Sequence, residues 1–387
     1  MTNIAIVGLG ALGSAAAWEA TRRGYSVIGL EQFELGHERG ASHDTSRILR
    51  HSYHTPHYVE LTFRAYDAWA ELEADSGISL VTQTGGVDFF PPGAAIDMST
   101  YTASMDAVGI PYDVLDNAAL RERWPQFTPP EGTTSLYQER SSIVPAALGT
   151  ATMQRLARER GADLRDRTRV EAIEPTATGV RLITSDGVVT ADRCIVTADA
   201  WTSALTAPLG WPIPLTVTEE QITYVTVPPT YADLPLWIWM DDPSFYGFPS
   251  YAVPGTEMER VGPAMTMKAA EDCGGPTVTG DERSGEIDPL MLDRLMGFLR
   301  SNFAGVGDPV RSKRCLYSLT ADRDFVISTV PGYENVIVGL GAAHAFKFAP
   351  AFGGMLLDLV DGKPVDPVFQ LDRPGITDPA YEANWLV

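Results

Sequence analysis

Five short stretches of this sequence combine residue types and spacings that could do chemistry. Gly8-Leu9-Gly10-Ala11-Leu12-Gly13 is a GxGxxG turn, whose glycines let a backbone approach a pyrophosphate at the positive end of a helix. Glu31 follows Gly8 by 23 positions, where a carboxylate accepts hydrogen bonds from an adenosine ribose. A basic residue there would suit a 2′-phosphorylated cofactor; Glu31 leaves FAD and NAD. Arg47 and Arg50 stand three apart in a loop, Gly40 to His51, dense in small hydroxyl residues. On a helix that spacing puts both guanidinium groups on one face. Such a pair could clamp a carboxylate or the electron-rich edge of a flavin, although a solvated charged surface is the plainer reading. Lys268 is a single cation amid apolar neighbours, a setting in which lysine often only snorkels. Cys315, followed by Leu316-Tyr317, reads on its own as a small buried apolar residue. His344 and Lys347 share a late, glycine-containing turn.

The elements that must hold these residues begin with Asn3 to Val7, an almost continuously apolar run of the kind found in strands buried on both faces of a parallel sheet. An alanine-rich helix from Ala11 to Arg23 follows and stops at Gly24; Ser26 to Leu30 is the next strand. Strand, glycines, helix, cap and carboxylate agree on a βαβ dinucleotide-binding unit rather than an empty tight turn. Helices are expected over Tyr58 to Ala74, Pro145 to Arg160 and Pro289 to Phe303, from apolar residues at helical spacing. Gly179 to Thr184 and Gly187 to Ala191 form a hairpin about Ser185-Asp186-Gly187. Arg193 to Thr197, with a core Cys194, returns to the buried parallel pattern, as does Val336 to Val338, followed by a helix over Phe352 to Leu359. Between them, residues 216 to 300 are rich in Thr, Tyr, Trp and Pro. The strands expected there, Gln221 to Val227, Leu236 to Met240, Phe245 to Ser250 and Ala264 to Lys268, read as an antiparallel sheet over a binding site. Ala270 to Glu286, including Cys273, reads as a mobile loop.

Composition narrows the function. The formal net charge of −21 repels nucleic acid and anionic lipid, so neither is an expected partner. Three scattered cysteines suit neither a disulfide scaffold nor a metal cluster, and no metal is expected. With no run of 18 apolar residues and no basic leader before Met1-Thr2-Asn3-Ile4, the expectation is a soluble cytoplasmic protein. At 387 residues the chain should form two domains rather than one core.

These pieces together resemble the D-amino-acid oxidase superfamily of flavoproteins, within it the monomeric sarcosine oxidase and N-methyltryptophan oxidase branch. The resemblance runs nearly end to end, through Gly8 to Gly13, Ser42 to His51, Phe245-Tyr246-Gly247-Phe248-Pro249-Ser250, Lys268, Arg314-Cys315-Leu316-Tyr317 and His344-Ala345-Phe346-Lys347-Phe348. It implies a Rossmann-like FAD-binding domain of glutathione-reductase type, discontinuous over 1-85, 141-215 and 310-387. An antiparallel substrate domain would take 86-140 and 216-309. FAD would contact Gly8, Gly10, Gly13, Glu31, Ser42, Thr45, Ser46, Arg47, Val170, Phe346 and Lys347, with a thioether from Cys315 to its 8-methyl carbon. A neighbouring cation, Lys313 or Arg314, could lower the pKa of that thiol. Lys268, held by water near flavin N5, would activate oxygen, with Arg47 and His344 as further catalytic residues. Arg50 and Lys347 would hold a substrate carboxylate, and Tyr246, Tyr317 and Asp272 would border the substrate.

The implied reaction is oxidation of a secondary amine or an N-methyl or cyclic amino acid. A hydride passes to flavin N5, the imine is hydrolysed, and O2 becomes H2O2. The branch also implies a monomer. A flavin-dependent amine dehydrogenase, or within the family a fructosyl amino acid oxidase, remains the alternative. Three departures from the family pattern fall at four positions. Asp272 replaces a usual histidine and would oppose an anionic substrate or attract a cationic one; Ala343 and Ala345 replace glycines about His344; Asp199 replaces a glycine before Ala200-Trp201.

Overall fold

The computed structural model describes residues 2–385, so Met1, Leu386 and Val387 lie outside it. Asn3–Val7 is apolar throughout because both of its faces are covered. Ile4 and Ile6 point into one core cluster, with the helices Ala11–Arg22 and Ala349–Val360; Ala5 and Val7 point into a second, with the small sheet Val170–Pro175, Val180–Thr184 and Gly187–Ala191. Successive strand residues face opposite ways, so one strand feeds both cores. Cys194, Ile195 and Val196 repeat the pattern on the strand Arg193–Val196, and Val336, Ile337 and Val338 on Tyr333–Leu340.

The resulting six-stranded sheet runs in the order Val326–Val330, Tyr333–Leu340, Arg193–Val196, Asn3–Val7, Ser26–Leu30 and Asp163–Arg165. All its pairings are parallel except that between the first two. The chain leaves Asn3–Val7 toward Ser26–Leu30, whereas Arg193–Val196 lies on the other side. The glycine turn therefore opens at the point where strand order reverses, the usual binding crevice of such a sheet.

A second, nine-stranded sheet is antiparallel apart from the pairing of Leu236–Trp239 with Gly86–Phe90. From one edge it runs Pro309–Leu319, Thr216–Val227, Ala264–Asp272 and Ser244–Gly247. Met265, Met267 and Ala269 pack with Leu295, Met296 and Leu299 of the helix Pro289–Asn302 on one face. Period-two alternation then sends Lys268, Ala270 and Asp272 to the other face, toward the first sheet.

Several sequence expectations shift at this level. The strand Ala264–Asp272 passes through Lys268 rather than ending there, because Met265 to Ala270 are all buried between two layers. The predicted loop Ala270 to Glu286 is correspondingly shorter, and it is tied down. Val278 N donates to Val217 O at 2.8 Å, and the Glu219 carboxylate accepts from Ser284 N at 3.1 Å and Gly285 N at 2.8 Å. Arg47 and Arg50 belong to the strand Arg47–Leu49 and the residue after it, not to a helix, so their spacing does not put them on one face. Pro309–Leu319 pairs along its length with Thr216–Val227, which joins the start of the segment 310-387 to the second sheet. The helix expected from Phe352 starts at Ala349, and it crosses the first helix closely: a Cβ on Gly353 would lie 2.6 Å from Ala15 O.

Candidate functional site

Between the two sheets lies one cavity of about 600 Å3, whose lining runs from Glu31 and His37 at one end to Tyr317 and Lys347 at the other. At the first end, sequence dictates shape. Gly8 has φ +87°, and a Cβ there would lie 2.6 Å from Thr197 O; one on Gly13 would lie 1.9 Å from Gly8 O. Gly13 thus does not line the cavity but lets helix and strand pack closely enough to form it. Ser42 Oγ accepts from Ala11 N at 2.9 Å and closes one side of the helix N-terminus. Glu31 accepts from Leu9 N at 2.8 Å and Phe33 N at 3.1 Å. Burial pushes its pKa up, but His37 and those two N–H groups outweigh it and hold the carboxylate below its ordinary value. It is therefore an ionised acceptor in the cavity wall, and the end fits the adenosine and pyrophosphate of a dinucleotide.

Asp199 enters the wall beside it, from left-handed backbone at φ 48°. Burial pushes its pKa up to about 6, with Ser318 and the Ala200 N–H opposing. Near neutrality it is a carboxyl group shared between its acid and ionised forms. Val170 and Phe346 also line the cavity. Thr45 and Ser46 do not: Thr45 Oγ1 is 2.6 Å from Tyr224 Oη and 3.3 Å from Ser46 Oγ, so their hydroxyls serve each other and the second sheet. Arg47 lines the cavity with its guanidinium fixed on three carbonyls, Ser46 O at 2.7 Å, Ala41 O at 2.7 Å and His43 O at 3.0 Å.

Cys315 sits midway, buried, with Tyr317 two residues on and facing the same way. Burial raises its thiol pKa to about 11, with Arg47 opposing. Neither cation expected to activate it does so. Arg314 points to the opposite face, where Nη2 donates to Glu219 O at 2.6 Å and Nη1 to Gln221 Oε1 at 3.2 Å. Lys313 turns to Glu38 at the surface.

Lys268 also lies outside the lining, behind it. Its ammonium is 2.6 Å from Asp44 Oδ2 and donates to Ser46 O at 3.1 Å; both side chains of the ion pair are 3% exposed. Burial lowers the lysine pKa to about 8, with Asp44 opposing and Arg47 assisting. Asp44 is held far below the ordinary carboxylate range, since Lys268 outweighs its burial. Asp44 occupies left-handed backbone at φ 75° and also accepts from Tyr224 Oη at 3.0 Å.

The far end of the cavity is a polar chamber. Tyr246 Oη and Tyr317 Oη are 3.3 Å apart. Arg50 Nη1 is 2.9 Å from Asp88 Oδ1, and Arg323 Nη2 is 2.9 Å from Asp272 Oδ2. Asp272, expected to border the substrate, lines the cavity as half of an ion pair with Arg323. His344 Nε2 lies 2.9 Å from the Arg323 carbonyl, and burial, Lys347 and Arg323 hold its pKa well below normal. The neutral ring thus commits its Nε2 proton to that carbonyl. Ala342 (φ 41°) and Ala343 (φ 69°) carry the turn before it through left-handed backbone, at a cost on the order of 1–2 kcal/mol each. Trp69 Nε1 donates to Lys347 O at 2.8 Å and fixes the turn Ala345–Phe348, while Lys347 Nζ donates to His344 O at 3.1 Å.

The protein matches the family model for FAD-dependent oxidoreductases, DAO, over residues 3–359. The chain belongs to that family. It is 31% identical to the monomeric sarcosine oxidase of Streptomyces avermitilis over 387 residues, covering 96% of each chain. It is 27% identical to the N-methyl-L-tryptophan oxidase of Yersinia pestis, covering 94% of this chain and 95% of that one. Among solved structures, the open form of NikD, an unusual amino acid oxidase essential for nikkomycin biosynthesis, superposes with a TM-score of 0.83 at 26% identity. That match covers 95% of this chain and 96% of NikD. The chain is thus an FAD-dependent oxidoreductase with the α/β fold and the antiparallel second sheet expected of it. Among the described residues no helix is long and apolar enough to cross a membrane.

Sequence reasoning passed over Asp44, Asp88 and Arg323. Asp44 stands beside residues that were singled out, but nothing local tells an acid or an arginine which distant charge it will meet.

Proposed function

We propose that this protein oxidises a secondary amine carrying a carboxylate, an N-methyl or cyclic amino acid, and passes the electrons to O2, giving H2O2. The observation that carries this reading is the chamber beyond Cys315: two of its three cations have their own carboxylates, and among the described residues Lys347 has none. Such a chamber is one negative charge short when Lys347 is protonated, which suits one substrate carboxylate. FAD, when bound along the cavity, supplies the two-electron acceptor. The protein's own residues bind and orient. Arg50 and Lys347 hold the carboxylate, Tyr246 and Tyr317 wall the reacting carbon, and the apolar Ile238 and Phe248 exclude water. Lys268, beside the cavity but sealed from it, holds a positive charge for the oxygen step. Cys315 is the residue we assign as the covalent anchor of FAD, because it is the one cysteine lining the cavity among the described residues.

The test is a peroxide-coupled panel together with acid precipitation. N-methyl and cyclic amino acids should turn over, whereas the same amines without the carboxylate should lose about 10²-fold or more in kcat/KM. The acid pellet should be yellow for the wild type and colourless for Cys315→Ser. Amines that work equally well without a carboxylate would sink the substrate reading, and a yellow Cys315→Ser pellet would sink the tether.

A further inference from the structure

Four of the 29 basic residues of this chain are lysines: Lys268, Lys313, Lys347 and Lys363. Arginine serves nearly everywhere else, yet two of the four lysines flank the cavity. The two side chains differ in one respect that matters here. A guanidinium stays protonated in any protein setting, whereas a buried ammonium readily gives up its proton. Lysine is thus the residue expected where a cation must come and go.

Lys347 is built to do so. Its ammonium has one hydrogen bond, to the His344 carbonyl, and takes part in no ion pair among the described residues. Its charged neighbours are already matched, Arg50 by Asp88 and Arg323 by Asp272. The other titratable groups about it are Tyr53, whose ring centroid lies 5.5 Å from Nζ, with His54 beside it, Tyr317 from the second sheet, and His344 in its own turn. Tyr53 Oη and His54 Nδ1 have no partner in the protein. Burial, then Arg50 and Arg323, drive the lysine pKa well below its ordinary value, with Asp272 opposing. These neighbours favour the neutral amine, with which the chamber carries balanced charge.

We propose that Lys347 is the proton acceptor for the substrate amine. This rests on the functional reading above. The substrate arrives as a zwitterion; an N–H bond of its secondary ammonium breaks and an N–H bond forms on Lys347. No electrons change hands. The amine regains the lone pair that makes its neighbouring carbon a hydride donor, and the new ammonium is the cation that holds the carboxylate. In an α-amino acid, nitrogen and carboxylate flank the same carbon. A group bonded to the carboxylate therefore reaches the nitrogen directly or across one water.

The probe is (methylthio)acetate, which keeps the carboxylate of N-methylglycine and replaces its amine by sulfur. It brings no proton, so its binding to the holoenzyme at neutral pH should draw about one proton from solvent, read by calorimetry in buffers of different ionisation enthalpy. Lys347→Arg, permanently charged, should bind the probe with no uptake. In protein labelled with 13C at lysine Cε, only four side-chain signals are present, and Lys347→Arg identifies one of them. That signal should sit at the amine position in the free holoenzyme and move to the ammonium position with the probe. An ammonium signal for Lys347 in the free enzyme, or probe binding to the wild type without proton uptake, overturns the proposal while leaving the amine-oxidase reading intact. If neither the probe nor any N-methyl amino acid binds, the functional reading fails and takes this one with it.

Discussion

Lys268 and Lys347 flank one cavity, and the fold treats their charges in opposite ways. Lys268 sits mid-strand between two packed layers, 2.6 Å from Asp44, where a buried carboxylate fixes its charge. Lys347 sits in a short turn at the cavity wall, hydrogen-bonded to a carbonyl, with the Tyr53 ring 5.5 Å away and two arginines nearby. Each lysine is desolvated, which disfavours the ammonium in both cases. What separates them is the partner. An ion pair in a dry interior fixes protonation because breaking it leaves a lone buried charge, while an unpaired amine is free to follow whatever enters. The contrast teaches that a permanent cation and a switchable one can be built from the same residue by placing or withholding one aspartate.

The strongest way to break the contrast is to remove the permanent cation. Lys268→Met should slow reoxidation of the reduced flavin by air by about 10²–10³-fold, the usual loss when a preorganised charge is withdrawn from a dry site. Anaerobic reduction by substrate, followed by stopped-flow absorbance, should change by less than about threefold. Equal losses in both halves would mean that Lys268 shapes the site rather than serving oxygen.

Next in size is Asp44→Asn. Burial lowers the pKa of Lys268 in the folded protein to about 8, below the ordinary lysine value of 10.5. The unfolded chain binds more protons in that window, so this group's contribution to stability rises with pH from about 8 to 10.5. Asp44 has the opposite balance: its depressed pKa stabilises the fold above the ordinary carboxylate pKa of 3.8 and is lost as pH falls below it. Removing Asp44 withdraws what supports the lysine's charge. The pH above which reoxidation fails should move down from the wild-type value near 8. A drop of about one unit would cost about twofold in rate near neutrality and roughly tenfold well above pH 8. A profile that stays in place would show that Asp44 does not set the charge.

How much of this was readable in the sequence depends on how far each signal travels. The nucleotide half was plain because Asn3–Val7, the glycine turn and Glu31 lie within one continuous βαβ unit, and every constraint is local. Residues singled out for the chamber, Arg50, Tyr246, Tyr317, Asp272, His344 and Lys347, do gather on one cavity. The charge balance among them was not readable. Asp272 stood out as an anion, but Arg323 reaches it from the connection between Pro309–Leu319 and Val326–Val330. Asp44 reaches Lys268 from the loop that precedes Arg47–Leu49. Pairings of that kind are made by tertiary packing, which periodicity does not encode. The thiol shows the same limit in miniature: Arg314 adjoins Cys315 in sequence, yet strand alternation turns it to the far face. The count of four lysines was on view and unused, and it would have pointed to Lys347 without any coordinates.

The smallest effect is the sharpest test of whether Asp44 works alone. Lys313 Nζ lies 3.9 Å from Asp44 Oδ1 and also pairs with Glu38; its side chain is 29% exposed and that of Glu38 60%. Water and salt screen such a pair, and exposed ion pairs contribute about 0–1 kcal/mol. Lys313→Ala removes a like charge from the neighbourhood of Lys268, so the reoxidation profile should move upward in pH, opposite to Asp44→Asn. The shift should be a few tenths of a unit, a rate change under about twofold. It should fade in about 1 M salt, where screening acts within a few ångströms. The Asp44→Asn shift should persist there, because its pair is sealed from solvent. If Lys313→Ala instead moved the profile downward by as much as Asp44→Asn, Glu38, Lys313 and Asp44 would be acting as one chain to the surface. The fixed charge on Lys268 would then be set from outside the core, and the contrast with Lys347 would have to be redrawn.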